Sequence, residues 1–592
     1  MKLESRLQAL RGLMAERNYD ALIIPRADEH LGEYIPEHNE RLRWVSGFTG
    51  SAGMVIVLSG QAAIFVDGRY TVQVRQQVPS DLFQYHHLRD EPPLEWLAQS
   101  QAAGTRVAVD PRLHNLQWYR QAQTLLGAAG ISLCPDTDNL VDHCWLDRPA
   151  PKVEPALLLD ESYSGESSSS KRHRIGETLV QSAADAALIF APDSVSWLLN
   201  VRGRDVPCMP VLQSRALLWS DGSLDLFVHP GRVPEGMNSH CGADVRVHPA
   251  DAADTFLTEL GGKRVLADPV TANAWSQLLL EQGGASLVPA ADPVLLPKAC
   301  KNPVEIAGAR AAHIRDAVAV INFLVWLDAE QSAGRRHDEA TLADQLLAMR
   351  SSGRHFQGGS FDTISAAGSN AAMCHYNHNN TVPATLPDNS VYLVDSGGQY
   401  IDGTTDITRT VAIGDPGADI RHMFTLVLKG HIALDQARFP KGTTGTHLDV
   451  LARQFLWSEG FDYDHGTGHG VGVFLSVHEG PQSISKAWSG VPLQPGMILS
   501  NEPGYYRDGA FGIRCENLVT VVEVPGPLET PMYGFDVLTL VPFDRRLLDV
   551  SLLTADEIRW LDDYHRLVAD TLTPLLEGPE GAWLERATQP LA

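Results

Sequence analysis

Leu3, Leu7, Leu10 and Met14 recur at helical spacing with charged residues between them, so an amphipathic helix is predicted within residues 1–20. Beyond it the period changes. Short runs rich in Ile, Val and Phe, bounded by Gly and Asp, predict strands, and they come in two similar sets. Asp20 precedes ALII, then Trp44, then AAIFVDGR ending at Arg69; Asp185 precedes AALIF, then Trp197, then LDLFVHPGR ending at Arg232. The repeat predicts two related α/β modules over 1–150 and 151–302, divided near the Pro-rich DRPAPKVEP. SGESSSSKR, residues 164–172, predicts a polar loop.

From Asn302 the period is helical again. VEIAGARAAHIRDAVAVINFLVWLDAEQS places Ile306, Ile314, Val318, Ile321 and Val325 on one stripe, which predicts a long helix. Asp338 and Glu339 open a second helix, ATLADQLLAMRSS, with carboxylates at its positive end. Further helices are predicted from Gly417 to Phe439 and from His447 to Glu459, among strand-like runs and hairpins. That order predicts helices packed on an antiparallel sheet, an α+β layer over 303–540. In the tail, 541–592, Thr554 and Glu557 form a capping box before IRWLDDYHRLV. Leu552, Leu553, Ile558, Trp560 and Leu561 would pack on the preceding domain or make a dimer contact, with packing the default.

Composition narrows the class. A chain of 592 residues, 44% apolar, is long enough for several hydrophobic cores. Its net charge of −25 argues against a nucleic-acid partner, and the short basic stretch Lys171 to Arg174 does not reverse that. Seven irregularly spaced cysteines with no CxxC pair read as free or buried thiols in a reducing compartment. The chain shows no apolar run of about 18 residues, and its first residues do not have the pattern of a signal peptide, so no membrane partner is expected and a cytoplasmic location is.

Residues 391–516 gather the candidate chemistry: Asp395, Asp406, His469, Glu502 and Glu516. Four carboxylates brought together repel, and burying each without compensating charge costs several kcal/mol. Two divalent cations would cancel that charge. Asp395 ends VYLVD and Asp406 begins DITRTV, with Gly397, Gly398 and Gly403 between; alone, either Asp would read as a turn or cap residue. His465 and His469 are four apart, but the glycines of HGTGHGVG and the lack of a Glu after the first His argue against a helical zinc pair. One imidazole as ligand and the other as its support fits better. Glu502 and Glu516 flank a hairpin turned by Pro503, Gly504, Asp508 and Gly509. One His with four carboxylates is an oxygen-rich set suited to Mn²⁺ rather than to structural zinc.

The surroundings of these residues, DGTTDITRT, HGTGHGVGVFLSVHEGP, NEPGYY and the strand carrying Glu516, resemble the pita-bread metallopeptidase family of methionine aminopeptidase, prolidase and aminopeptidase P, above all the long three-domain aminopeptidase P branch. FTGSAG at 48–53, FVDGRY at 65–70 and KNPVEIAGARAAHIRDAVA extend the resemblance over nearly the whole chain. It implies two creatinase-like modules followed by a pita-bread catalytic domain and a C-terminal helical segment. It implies two metal ions, Mn²⁺ with Zn²⁺ or Co²⁺ as alternatives, one held by Asp395 and Asp406 and the other by His469 and Glu502, with Asp406 and Glu516 bridging. It further implies hydrolysis of the bond before a second-position proline by water activated between the metals, with Glu502 moving the proton. His375 and His478 would face the substrate, His465 and Arg514 would support the ligands, Tyr506 would line the site, and Arg69 would reach the peptide in cis or across a homodimer. NHNN after Tyr376 departs from the small residue and proline common in relatives. A prolidase-type dipeptidase and a non-catalytic pita-bread binding module stay open as alternatives; a metal-free creatinase-like enzyme is disfavoured by the full ligand set.

Overall fold

The β-branched runs of the first half build two six-stranded sheets with one wiring. The computed structural model describes residues 2–527 and 529–591. It divides into two units, Met1–Leu159 with Glu166–Leu295, and Asp160–Gly165 with Leu296–Ala592.

In the first unit, helix α1 (Leu3–Glu16) buries Leu7, Leu10 and Met14, as its spacing predicts. The strands are β1 (Ala21–Pro25), β2 (Met54–Leu58), β3 (Ala62–Val66), β4 (Phe83–His87), β5 (Arg106–Val109) and β6 (Ser132–Pro135). Their order is β4-β3-β2-β1-β5-β6, with β1 antiparallel to β2 and parallel to β5. The second set is β7 (Ala186–Ile189), β8 (Ser214–Trp219), β9 (Leu224–Val228), β10 (Val245–Pro249), β11 (Arg264–Ala267) and β12 (Ser286–Pro289), in the order β10-β9-β8-β7-β11-β12. The central strands β1, β2 and β3 are buried along their whole length. Sheets covered on both faces produce such continuous apolar runs rather than alternation. The repeat extends to single bonds: Asp20 Oδ2 accepts from the Arg106 amide and Asp185 Oδ2 from the Arg264 amide, each at 2.8 Å.

Residues 164–172 are not all loop. Helix α2 (Ser168–Gln181) begins among the serines, capped by Ser167, whose side chain accepts from the Ser170 amide. Ser-rich composition here supplies an N-cap and first turn. Lys171, inside that turn, is buried and donates to Asn200 Oδ1 at 2.8 Å.

The second unit opens with α3 (Pro303–Ser332), capped by an Asn302–Glu305 capping box. Of the predicted stripe Ile321 is fully buried, and Ile306, Ile314, Val318 and Val325 are half-buried and pack against the core beside Ala309, Ala312, Ala317, Val320, Phe323, Leu324 and Leu327. Small residues stand at the N-terminal end of α3, where backbone approaches: a Cβ on Gly308 would stand 2.5 Å from the Asp402 carbonyl oxygen. Next comes α4 (Glu339–Ser351), then β13 (Ile364–Ala367), β14 (Ser390–Ser396) and β15 (Ile407–Ile413), antiparallel in the order β13-β14-β15. Helices α5 (Gly417–Asp435) and α6 (Gly445–Ser458) follow. A mostly short-stranded sheet then joins β16 (Phe439–Pro440), β17 (Gly468–Gly470), β18 (Glu479–Ile484), β19 (Ile498–Asn501), β22 (Asn517–Val524) and β23 (Met532–Val537) in the order β16-β23-β22-β19-β17-β18. Between β19 and β22 the hairpin β20 (Gly504–Arg507) and β21 (Phe511–Arg514) projects. Helix α7 (Ala555–Leu572) carries the predicted capping box of Thr554 and Glu557. No helix among the described residues is long and apolar enough to cross a membrane, and the seven cysteines are free.

Candidate metal centre

Strand pairing brings the acidic residues together. In the β14–β15 ladder Asp395 lies opposite Thr408, two residues past Asp406. In β19–β22, Asn501 lies opposite Asn517, so Glu502 and Glu516, the next residues outward, leave the sheet at the same end. His469 enters from β17, which is squeezed between β18 and β19: a Cβ on Gly468 would stand 2.0 Å from the Ser500 carbonyl oxygen. The glycines of HGTGHGVG thus serve close strand packing.

Ligand atoms of Asp406, His469 and Glu516 all lie within 4.8 Å of one another. His469 Nε2 is 3.4 Å from Asp406 Oδ2 and 3.5 Å from Glu502 Oε1. Its Nδ1 donates to the Gly470 carbonyl at 3.0 Å, so Nε2 is the nitrogen turned toward the carboxylates. Arg514 Nη2 holds Asp395 Oδ2, and Arg514 Nε donates to Thr408 Oγ1 at 3.0 Å, which donates to Glu516 Oε2 at 2.6 Å. Ser500 Oγ donates to Glu502 Oε1 at 3.2 Å.

Charge in this cluster is only partly compensated by Arg514 and His469. Burial, with Asp406 and Asp395 nearby, pushes Glu516 well above the usual carboxylate range. Burial raises Asp395 despite Arg514, and raises Glu502 to about 7 despite His469 and Arg514. Burial works against a charged His469, yet Asp406 and Glu502 lift its pKa to about 9. Asp395 Oδ1 is buried with no hydrogen-bond partner among the described residues. An orphaned carboxylate oxygen, and an imidazole nitrogen turned toward carboxylates that raise its pKa, mark a site short of positive charge, and the one-His, four-carboxylate set fits two divalent ions.

Of the other candidates, His478, His375, Tyr506 and His465 are linked to this cluster. The His478 ring meets the His469 ring edge-on at 4.3 Å between centroids. His375 is half-buried in a turn, and Arg514 Nη1 donates to the carbonyl of its neighbour Cys374 at 3.4 Å. Arg514 Nη1 also donates to Tyr506 Oη at 2.7 Å, and Tyr506 Oη lies 2.8 Å from His465 Nε2. His465 Nδ1 faces the Gly466 carbonyl, so the phenol donates to Nε2. Arg69 belongs to the first unit, where it pairs with Asp67 at 2.7 Å and lies over the Tyr70 ring.

Several buried groups escaped the sequence reading as site residues. Glu339 accepts from the Ala367 and Ala384 amides, Asn370 Nδ2 and Tyr376 Oη, and so holds both ends of the segment bearing His375. Glu479, next to His478, is buried against Lys298 at 2.7 Å and against Lys301. Thr408 and Arg409 stand inside DITRT, and that motif was the available signal for them. For Lys298 and Lys301 no local pattern exists, since their partner is far along the chain.

Comparison with known proteins agrees with this geometry. Residues 307–523 match the model of metallopeptidase family M24, 6–144 and 147–305 each match the creatinase/prolidase N-terminal domain, and 531–591 match the C-terminal region of peptidase M24. A probable Xaa-Pro aminopeptidase P of Tuber melanosporum is 40% identical over 616 residues, covering 99% of both chains. The chain belongs to metallopeptidase family M24. Aminopeptidase P1 of Lotus japonicus is 37% identical, covering 100% of both chains. Among solved M24 structures, the X-prolyl aminopeptidase of Caenorhabditis elegans, described as cytosolic with a di-nuclear active site, is 34% identical, covers 100% of both chains and superposes with a TM-score of 0.95. The fold expected from the motifs, creatinase-like modules before a pita-bread domain, is the one found.

Proposed function

We propose that the chain is a metal-dependent aminopeptidase that removes the N-terminal residue from peptides with proline in second position. The supporting observation is the buried Asp406–His469–Glu516 cluster, with Asp395 and Glu502 beside it, in a chain that matches Xaa-Pro aminopeptidases from end to end.

Two divalent cations fit the donor set: Asp395 and Asp406 would hold one, His469 and Glu502 the other, with Asp406 and Glu516 shared. When bound, they polarise the scissile carbonyl and lower the pKa of a water; Mn²⁺ suits these ligands, with Zn²⁺ or Co²⁺ as alternatives. Glu502 takes the proton of the attacking water and passes it to the prolyl nitrogen. His375 and His478 donate hydrogen bonds to the oxygen on which charge develops, worth about 3–4 kcal/mol per donor in sites of this kind. Arg514 orients Asp395 and favours its ionised form against burial, while Tyr506 and His465 fix the guanidinium from behind. Arg69 is our further candidate contact for the peptide. A prolyl bond lacks the amide N–H that strand-pairing peptidases use, so selectivity rests on such side chains.

We divide the chain at 1–150, 151–302, 303–540 and 541–592, and read it as a cytoplasmic homodimer, in keeping with the cytosolic Caenorhabditis elegans relative. The test compares an Xaa-Pro dipeptide with an Xaa-Pro-Yaa tripeptide using Mn²⁺-loaded protein. Release of the first residue from the tripeptide is expected. Cleavage of the dipeptide alone would make the protein a prolidase, and no cleavage of either, unchanged by Asp406→Ala, would leave a binding module.

A further inference from the structure

Nothing in the reaction above uses the C-terminal segment, yet one of its side chains lies two contacts from a metal ligand. Arg409, on β15 three residues after Asp406, is 2% exposed. It makes no salt bridge among the described residues; carbonyl, amide and hydroxyl oxygens surround its guanidinium. Nη1 donates to the carbonyl oxygens of Thr408, at 2.9 Å, and of Glu516. Nη2 donates to Asn517 Oδ1 at 2.8 Å, to the Val541 carbonyl at 2.6 Å and to Tyr564 Oη at 3.0 Å. Nε reaches the Pro542 carbonyl at 3.3 Å, and the Phe543 ring lies 4.2 Å under the guanidinium.

The two halves of this shell differ in origin. Thr408, Glu516 and Asn517 belong to the strands that carry the candidate ligands. Val541, Pro542, Phe543 and Tyr564 belong to the C-terminal segment. Tyr564 Oη accepts from Arg409 and donates to the Val541 carbonyl at 2.7 Å, so the phenol ties residues 541–543 to the guanidinium. Its ring is held by stacking on Trp560, at 5.5 Å and 5°. Helix α7 is itself fastened to α5, where Lys429 Nζ pairs with Glu557 at 2.6 Å and Asp435 accepts from Trp560 Nε1 at 2.8 Å.

We infer that the C-terminal segment is a working part of the metal centre: Tyr564, acting through Arg409, fixes the spacing between Asp406 and Glu516. Both are positioning residues, since neither touches the reacting atoms. The geometry makes this specific. Arg409 grips β15 at Thr408 and the β22 approach at Glu516 and Asn517, so one guanidinium sets the distance between the two shared ligands. With the Tyr564 hydroxyl gone, the arm that holds Nη2 is incomplete and the grip loosens. Outer groups that orient metal ligands typically change affinity 10- to 100-fold when lost.

This inference rests on the metal reading proposed above, and the test separates the two. Metal-depleted full-length protein is titrated calorimetrically with Mn²⁺ alone, as wild type, Tyr564→Phe and Val568→Ala. Val568 is buried on the same helix and makes no hydrogen bond to Arg409, so it reports loss of packing. The expected result is that Tyr564→Phe binds Mn²⁺ roughly tenfold more weakly. Saturating Mn²⁺ should restore its kcat with KM for the peptide unchanged. Val568→Ala should melt at lower temperature while binding Mn²⁺ like wild type. Wild-type affinity in Tyr564→Phe would overturn the inference, as would equal weakening in both variants. Wild-type protein that takes up no Mn²⁺ would overturn the metal reading, and this inference with it.

Discussion

Glu339→Gln removes one charge and one acceptor at a point where four hydrogen bonds converge. Oε1 accepts from the Ala367 amide at 2.7 Å and Asn370 Nδ2 at 2.9 Å; Oε2 accepts from Tyr376 Oη at 2.6 Å and the Ala384 amide at 2.8 Å. A glutamine amide must place its NH₂ at one of the two oxygen positions. Either way it confronts a buried backbone N–H, Ala367 or Ala384, that then has no acceptor. An unsatisfied buried donor costs about 1–3 kcal/mol, and the surviving bonds lose their charge assistance. A combined local loss of about 3 kcal/mol follows, which corresponds to roughly a hundredfold. The loss falls on the segment between Ala367 and Ala384 that carries His375. Hydrogen–deuterium exchange of peptides spanning 367–384 reads it directly: exchange should quicken by roughly that factor while the sheets of the first unit are unchanged. Because His375 is proposed to act on the oxyanion, kcat on an Xaa-Pro-Yaa peptide should fall at least tenfold. Wild-type exchange in 367–384 together with wild-type kcat would refute the reasoning.

Asp406→Asn should lower bound Mn²⁺ to below one ion per chain by elemental analysis and abolish activity, since the variant keeps the shape and loses the charge of a shared ligand. Burial raises the Asp435 pKa from 3.8 to about 6 against the Trp560 hydrogen bond. A raised carboxyl pKa favours the folded state fully below about pH 4 and loses that contribution as pH rises through about 6. Asp435→Asn should therefore stabilise the protein by about 3 kcal/mol at pH 8 and by almost nothing at pH 4, read as paired thermal melts. Lys298→Met leaves Glu479 buried against Lys301 alone. Breaking a buried pair costs about 3–5 kcal/mol, and a lower melting temperature accompanied by reduced kcat would locate that loss beside His478.

The five candidate ligands could be read as one cluster because residue type and order carry the information: a cation site needs carboxylates and an imidazole, and the motif glycines mark the turns between them. What supports them was not. Lys298 and Glu479 are 181 residues apart, and Arg409 meets Tyr564 across 155. Such pairs form only after the sheets close. The long helix was legible in extent and in its apolar stripe, which packs on the core, but the small residues of its first turns answer to backbone approach at Gly308 that no period marks. The serine run misled for a related reason. Serine favours both loops and N-caps, and only the buried Lys171 one turn later distinguishes them.

The duplicated sheets meet at equivalent residues. Asn115 and Asn273 each cap a helix, accepting from the Trp118 and Ser276 amides, and the two asparagines pair with each other in an antiparallel bridge. The Gln117 amide donates to the Pro269 carbonyl, and the Ala274 amide to the His114 carbonyl. A contact in which one patch meets its own counterpart is isologous, the geometry of a two-fold dimer. At that contact the first unit resembles a two-fold dimer written as one chain. Covalent linkage holds its halves at an effective concentration that separate subunits could reach only by a larger interface. Each half is consequently released from the need to stay identical, and Arg69 and Arg232 have diverged accordingly: the first is partly exposed beside Asp67, the second buried against Asp205.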